Sequence, residues 1–270
     1  MVKAYMGFMD HSPTEQFLGE PSLWHTTVLL LSEGKECSDL AEAIAAIINP
    51  ISKRLKKWGQ AKGGKYRGKF AQTLKAKLPG SGVMILATSA REQTMGSNKV
   101  MLIRELDLNG RYREEVQTKG KVKARIGPFT DLRTRENHFF ELAENRALMI
   151  LWIAHFTCRM HSYLADELKK AFPDLVSVDW LPIFIDKFAG DNVHAHPSMQ
   201  LFQALVTHQI LRTGKGNIRV AFFHDKAPDE ANHLVDNIAG LFNELKNSPA
   251  SYRNFLGVLG SGNIYWESGK

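Results

Sequence analysis

The sequence predicts an α/β fold in which a mixed β-sheet is flanked by helices. In the carboxy-terminal half, short apolar runs alternate with segments of helical periodicity, as in a sheet whose strands are joined by helices. In the amino-terminal part, two runs rich in apolar residues, one of them also in Thr and Val, indicate buried strands. With 270 residues and 44% hydrophobic content, the composition is that of a globular protein, which excludes disordered and fibrous classes.

The amino-terminal elements are predicted from their apolar spacing and their end signals. In chain order they are strands at 4–9 and 24–31, a helix from Ser38, a second helix at 69–77 and a strand at 82–88. Ser38 is expected to cap the first helix, because a short polar side chain can accept a hydrogen bond from a free backbone N–H. Pro50 is expected to kink that helix, since proline lacks the N–H donor.

The middle of the chain predicts a β-rich insertion at 99–135, with a hairpin at Asn109-Gly110 and a further bend at Lys119-Gly120. A long helical pattern over 136–172 follows. The remaining elements are a strand at 181–185, a helix at 197–211, a strand at 218–223 and a helix at 229–245. Because no repeat or low-complexity linker interrupts the chain, we expect one elaborated domain over 1–270.

The positive charge is concentrated in a basic segment, residues 43–91. The net charge is +7, yet this segment contains no Asp or Glu, while the rest of the chain has 24 basic and 28 acidic residues. Its 11 cations are Lys53, Arg54, Lys56, Lys57, Lys62, Lys65, Arg67, Lys69, Lys75, Lys77 and Arg91. A solvated helix usually carries balancing glutamates, so the segment favours a polyanionic partner such as nucleic acid.

We expect the phosphate contacts to come from the first eight of these cations, Lys53, Arg54, Lys56, Lys57, Lys62, Lys65, Arg67 and Lys69. Residues 59–65 match a phosphate-binding P-loop up to its lysine, but Tyr66 replaces the Ser or Thr that binds magnesium, so we reject that motif. Trp58 and Tyr66 are suited either to stacking on bases or to anchoring the segment to the core.

The location expected from the sequence is cytoplasmic. Cys37 and Cys158 lie in unrelated contexts, which indicates a reducing compartment. The amino terminus has no secretory leader pattern, and the most apolar segment, 147–158, is too short to span a bilayer. We therefore expect no membrane partner.

Several aspartates occupy positions at which an α/β sheet binds ligands. Asp10, Asp186 and Asp225 follow apolar strands, and Asp236 lies in an apolar helical segment. The small residues Ala239 and Gly240 are expected to let that helix approach the sheet and bring Asp236 towards the strand ends. Clustered carboxylates repel each other unless a cation neutralises them, so the set predicts Mg²⁺ or Mn²⁺ bound by oxygen ligands.

Each of these residues also has a structural interpretation. A lone aspartate after a strand usually forms a turn or caps a helix, and Asp225 fits that role best. His194 and His196 have a His-x-His spacing, but the helix start at Pro197 favours a loop. The accessory candidates for general acid or base are His11, His194 and His196, together with His224 and His233 beside the Asp225 turn.

Four stretches resemble a known family: A-Y-M-G-F-M-D-H-S, I-F-I-D-K, R-V-A-F-F-H-D-K and H-L-V-D-N-I-A-G. They are similar to the prokaryotic family of domain of unknown function 3800, which has a ribonuclease H-like, integrase-related fold. The resemblance implies that Asp10, Asp186 and Asp236 occupy the family's metal-binding positions. It also implies a metal-dependent nuclease that hydrolyses phosphodiester bonds.

The acidic set departs from the family pattern at two places. The motif Asp10-His11-Ser12-Pro13 lacks the family's glutamate and glycine, and Gly63-Gly64-Lys65-Tyr66 stands where relatives often have an acidic residue. Three residues are left open as replacements: Glu33, Glu36 and Asp107. The departures favour two alternatives, a catalytically inactive nucleic-acid-binding module and a protein-interaction subunit of a nucleoprotein assembly.

Overall fold

The structure is a computed structural model that describes residues 5–12, 24–61, 64–91, 99–131, 134–163, 180–185, 197–213, 219–223, 229–247 and 264–268. The chain divides into two compact units. Unit 1 comprises Met1–Arg91, Leu168–Asp186 and Asn217–Lys270, and unit 2 comprises Glu92–Glu167 and Lys187–Gly216. Segments of the two units alternate along the chain. The organisation as one elaborated domain over 1–270 stays a prediction.

Unit 1 contains a six-stranded mixed sheet, as the sequence predicts for an α/β fold. Its strands are β1 (Tyr5–Ser12), β2 (Trp24–Glu33), β3 (Met84–Arg91), β7 (Trp180–Ile185), β8 (Arg219–Phe223) and β9 (Ile264–Ser268). Their spatial order is β8-β7-β1-β2-β3-β9. The strands β1, β2 and β3 form an antiparallel meander, while β7, β8 and β9 are parallel to their neighbours.

The helices of unit 1 cover the face of this sheet that carries Phe8, Val28 and Ile85. They are α1 (Glu36–Ile48), a 3₁₀ turn (Trp58–Gln60), α2 (Gly64–Lys77) and α6 (Asp229–Asn247). The helix α6 packs across β1 and β2 and against α1. Buried apolar residues of all three helices and of the sheet form one continuous core.

The first helix differs from the expectation at both ends. It begins at Glu36, two residues before Ser38, and Lys35 occupies the N-cap position without a side-chain hydrogen bond. It ends at Ile48, so Pro50 follows the helix rather than kinking it. The residue before a proline disfavours helical geometry, which explains why the helix stops before reaching Pro50.

Unit 2 contains a three-stranded antiparallel sheet and three helices. The strands, in the order β4-β5-β6, are β4 (Tyr112–Val116), β5 (Val122–Thr130) and β6 (Asn137–Ala143). The helices are α3 (Lys99–Glu105), α4 (Glu144–Tyr163) and α5 (Pro197–Thr213). Within this unit α4 packs against α5.

The expected β-rich insertion at 99–135 is wrong at its start and at its end. Its first residues form the helix α3, and its last strand, β6, extends to Ala143, into the region expected to be helical. The tight hairpin joins β4 and β5 around Gly120, not around Gly110. In β6 the buried residues Phe140 and Leu142 are two positions apart, which is strand spacing rather than helix spacing.

No helix among the described residues is long and apolar enough to cross a membrane. The outline of the second half is otherwise close to the expectation: α5, β8 and α6 lie where alternating apolar and helical patterns predict them.

Candidate functional site

A basic loop, residues 49–61, lies between α1 and α2 and has a regular burial pattern. Leu55, Trp58 and Ala61 are buried, whereas the residues between them are exposed. Because every third residue is anchored in the core, the intervening side chains extend into solvent. Four predicted phosphate ligands occupy these exposed positions: Lys53, Arg54, Lys56 and Lys57.

Trp58 is the main anchor of the basic loop and is only 7% exposed. Its backbone N–H donates a hydrogen bond of 2.6 Å to Oδ2 of Asp236, and its indole Nε1 donates one of 3.0 Å to Oε1 of Glu244. A Cβ atom placed on Gly240 would overlap the indole ring. The helix α6 therefore holds Trp58 through two carboxylates and a glycine notch.

This arrangement changes the expected role of Gly240. We expected Gly240 to let α6 approach the sheet, but the nearest atoms around it belong to Trp58. The tryptophan anchors the loop in the core rather than offering its ring to a base, which decides between the two roles left open for it. The Asp236 carboxylate correspondingly faces the basic loop.

Further contacts fix the backbone of the basic loop. Asn237 Nδ2 donates to the carbonyl of Lys56 at 2.7 Å, and the N–H of Lys56 donates to the Tyr66 hydroxyl at 3.0 Å. Burial raises the pKa of Tyr66, and the negative charge of Asp236 raises it further, although the hydrogen bond with Lys56 lowers it. Tyr66 thus also anchors the loop.

Arg67 is the exception among the predicted phosphate ligands. Its guanidinium bonds Glu244, and its central carbon lies 4.9 Å from the centre of the Trp58 ring. Arg67 therefore packs against the basic loop. Lys65 and Lys69 are exposed on α2, and Lys62 lies outside the described residues.

Asp10 lies within β1, two residues before its end, rather than beyond the strand as expected. Because side chains alternate along a strand, it shares the face of Phe8, which is the face that α6 covers. It is half-buried, and its Oδ1 accepts the N–H of His11 at 2.7 Å.

Polar side chains follow Asp10 at the end of β1 and lie at the paired start of β2. His11 Nδ1 lies 2.9 Å from Thr27 Oγ1, and His11 Nε2 lies 3.4 Å from Nδ1 of His25, which is 1% exposed. Burial lowers the pKa of His11 to about 3, and the neighbouring His25 lowers it in the same direction. His11 is therefore a neutral imidazole at pH 7, able to accept a proton only weakly.

The strand register bears on two of the three replacement acids. Glu33 pairs with Tyr5, five residues from Asp10 along β1, which is about 17 Å. Glu36 begins α1 just after that same strand end. Both therefore lie at the opposite end of β1 from Asp10.

Asp107, the third replacement acid, belongs to unit 2. It has a left-handed backbone with a φ of 56°, and its Oδ2 lies 3.9 Å from His208 Nε2. Arg111 also contacts His208, at 3.0 Å, beside an open cleft of about 790 Å³. This cluster is built from α5 and the segment between α3 and β4.

Five of the acidic and histidine candidates lie outside the described residues: Asp186, His194, His196, His224 and Asp225. Among the residues that the structure does describe, no group of three His, Cys, Asp or Glu side chains is arranged to hold a metal ion. The cluster of Asp10, Asp186 and Asp236 with Mg²⁺ or Mn²⁺ therefore stays a prediction.

Sequence reasoning missed the polar residues that surround Asp10 and the partners of Trp58. Thr26, Thr27, Ser89 and His25 are all buried, and Thr26 Oγ1 lies 2.8 Å from Ser89 Oγ. A run of polar residues at the start of the second apolar strand, His25-Thr26-Thr27, was the available signal. Glu244 gave no such signal, because its partners lie about 180 residues away in sequence.

Comparison of the chain with protein-family models finds no matching family, and comparison with curated proteins finds no match. The resemblance described above rests on its four short stretches of sequence.

Proposed function

We propose that this chain is a nucleic-acid-binding protein with a ribonuclease H-like core, and that the basic loop and α2 bind the phosphate backbone. The observation that carries the proposal is the basic loop itself. Its anchors Leu55, Trp58 and Ala61 are buried, so Lys53, Arg54, Lys56 and Lys57 face solvent in a segment without acidic residues. A fixed array of cations is suited to contacting successive phosphates.

The order of the strands supports the fold part of this proposal. A ribonuclease H-like sheet has a three-stranded antiparallel meander continued beside its first strand by parallel strands. The order β8-β7-β1-β2-β3, with β7 and β8 parallel to β1, has that arrangement. The additional strand β9 extends the sheet at the β3 edge.

The experiment is a fluorescence-anisotropy titration of labelled single- and double-stranded DNA and RNA. The test variant replaces Lys53, Arg54, Lys56 and Lys57 by Gln. The control variant makes the same replacement at four cations of unit 2: Arg104, Lys121, Lys123 and Arg125. We expect the first variant to lose affinity and the control to retain it. Equal affinities for the wild type and the test variant would contradict the proposal.

A second candidate function is metal-dependent hydrolysis of the bound nucleic acid. The register of the sheet favours it: Met9 pairs with Ile185 on the parallel strand β7, and Asp10 and Asp186 are the next residues of the two strands' chains. These aspartates, with Asp236, are the side chains that would hold Mg²⁺ or Mn²⁺. Such an ion activates water for attack on a phosphodiester.

Substitution of Asp236 distinguishes nucleic-acid binding alone from binding with hydrolysis, because Asp236 also accepts the Trp58 N–H. If Asp236 is only an anchor, Asp236→Asn keeps an acceptor for the Trp58 N–H, so binding and any cleavage are retained. If it is a metal ligand, the same change abolishes cleavage in Mn²⁺ without loss of binding. Asp10→Asn is tested in the same way, because Asp10 is another of the three proposed metal ligands. A reaction with a chelator in place of Mn²⁺ gives the metal-free control. Absence of cleavage by the wild type in Mn²⁺ would contradict metal-dependent hydrolysis and would not affect the proposed nucleic-acid binding.

A further inference from the structure

The turn between α1 and the basic loop presents an isoleucine to solvent. Ile51 is 96% exposed, and Ile47, in the last turn of α1, is 52% exposed. Leaving an isoleucine in water is unfavourable, and nearby Leu55 is buried in the core. Among the described residues Ile51 is the most exposed large apolar side chain, so it is accessible to a partner.

Hydrogen bonds hold this turn in one conformation. The Asn49 side-chain amide donates to Ser52 Oγ and to the carbonyl of Arg54, and the N–H of Lys53 donates to the carbonyl of Asn49 at 2.9 Å. Lys53 adopts a left-handed backbone with a φ of 52°, which residues other than glycine rarely do. Such strain is found mainly where surrounding contacts impose it, and often at functional sites. Ile51 is thus fixed at the apex of the turn.

The charges next to Ile51 indicate the kind of surface it meets. Lys53 and Arg54 are exposed two and three residues further on, and no acidic residue lies anywhere in 43–91. An anionic membrane and a nucleic acid both match that charge. Two isoleucines give too little apolar area to hold a protein at a membrane, which takes a longer apolar face. A nucleic-acid duplex needs only one apolar side chain inserted between base pairs.

We propose that Ile51 is a wedge that inserts between base pairs of duplex DNA while Lys53 and Arg54 contact the flanking phosphates. This inference rests on the proposed nucleic-acid binding and names the duplex as its target. Flexible pyrimidine–purine steps, such as TA, are the easiest to open, so they are the preferred sites. A rigid turn favours insertion, because little conformational freedom remains to be lost on binding.

The test uses a DNA duplex carrying 2-aminopurine at a central TA step, whose fluorescence rises when the base is unstacked. The full-length wild type is compared with Ile51→Ala, with Ile51→Met, which keeps an apolar wedge, and with Val116→Ala. Val116 is a matched control, because it is 76% exposed but lies in unit 2, at the last position of β4. None of these substitutions removes a buried contact.

We expect the fluorescence to rise roughly twofold or more with the wild type, Ile51→Met and Val116→Ala, and to change little with Ile51→Ala. Affinity for the duplex should fall about tenfold in Ile51→Ala, with affinity for the single strand unchanged. Tight duplex binding with no fluorescence change in any protein would overturn the wedge and leave the proposed function intact. Absence of binding to every nucleic acid would instead overturn the proposed function.

A membrane role gives a different result. Vesicles of phosphatidylcholine with phosphatidylserine are the probe, and we expect the wild type and Ile51→Ala to cosediment with them to the same small extent. Vesicle binding by the wild type that is lost in Ile51→Ala, with duplex affinity unchanged, would contradict the wedge and assign the turn to a lipid surface.

Discussion

The two units place their basic residues in opposite surroundings. In unit 2, Lys99 pairs with Glu114 and Glu144, and Arg125 lies within 4 Å of Glu115 and Glu141 on the adjacent strands. In unit 1, the cations of the basic loop belong to a segment with no acidic residue, and the carboxylates that α6 brings to the loop bond Trp58 and Arg67.

This difference shows why charge alone does not identify a binding surface. On the sheet of unit 2, Arg125 lies between two glutamates as a solvated surface residue, and exposed ion pairs of this kind add little stability. The acidic residues next to the basic loop bond Trp58 and Arg67, while Lys53, Arg54 and Lys56 are exposed to solvent. We therefore propose nucleic-acid binding for unit 1 and describe the ion-paired sheet of unit 2 as a solvated surface.

The largest expected effect follows from removing the anchor of the basic loop. Trp58→Ala should reduce the free energy of unfolding by about 3–5 kcal/mol, because it empties a buried site. Trp58→Phe keeps most of the ring but loses the bond to Glu244, so it should cost less. Urea denaturation measures both. A loss below about 1 kcal/mol for Trp58→Ala would mean that the loop is held by other contacts.

The next effect concerns the cations themselves. Replacing Lys53, Arg54, Lys56 and Lys57 by Gln should lower duplex affinity on the order of 100-fold near physiological salt. The matched variant of unit 2 should change it less than threefold or so, since Arg104, Lys123 and Arg125 have acidic neighbours. Comparable losses in the two variants would contradict the contrast between the units.

A smaller effect separates hydrogen bonding from charge at Asp236. Asp236→Ala leaves the Trp58 N–H without its acceptor and should cost about 1–3 kcal/mol in unfolding free energy. Asp236→Asn offers a carbonyl oxygen in the same place, so we expect less than half that loss. If Asn is as harmful as Ala, the negative charge rather than the hydrogen bond stabilises the loop.

A further effect is a pH dependence that comes from the strand end and not from the loop. The pKa of His11 is about 3 in the folded chain and lies near 6.5 when unfolded, so the unfolded state binds the extra proton between these values. Protonation of His11 therefore does not reduce the free energy of unfolding at pH values well above 6.5. Below pH 6.5 it reduces that free energy by up to about 1.4 kcal/mol for each pH unit.

The measurement for that pH dependence is urea denaturation at pH 7, 6 and 5, with His11→Asn as the comparison. The difference in unfolding free energy between the wild type and His11→Asn should shrink as the pH falls. A constant difference would show that His11 is not buried as a neutral imidazole.

Much of the fold could be predicted from the sequence, because its signals are local. The apolar runs of β1, β2 and β3 and the strongly amphipathic α6 are visible as periodic patterns. The segment Lys99–Glu105 forms a helix, although the sequence places it in a β-rich insertion. A short apolar run fits a strand or a helix equally well. In β6, alternation is confined to Phe140 and Leu142, which are too few residues to outweigh the helix that follows.

The candidate site was less predictable, because its contacts join distant parts of the chain. Trp58 and Asp236 are separated by 178 residues, and nothing local to either indicates the other. The sequence indicates that Asp236, flanked by Leu, Val and Ile, needs a partner; it is half-buried in the structure, and its carboxylate accepts the backbone N–H of Trp58. The cations were predictable from composition, since an acid-free stretch is a property of the sequence alone.

The salt dependence of duplex binding tests the central claim most directly. A plot of the logarithm of the association constant against the logarithm of salt concentration has a slope of about −0.9 per phosphate contact. Replacing Lys53, Arg54, Lys56 and Lys57 by Gln should therefore make the slope less steep by roughly 3 to 4, with the unit 2 variant unchanged. An identical slope for the wild type and the basic-loop variant would contradict the assignment of this loop to phosphate binding.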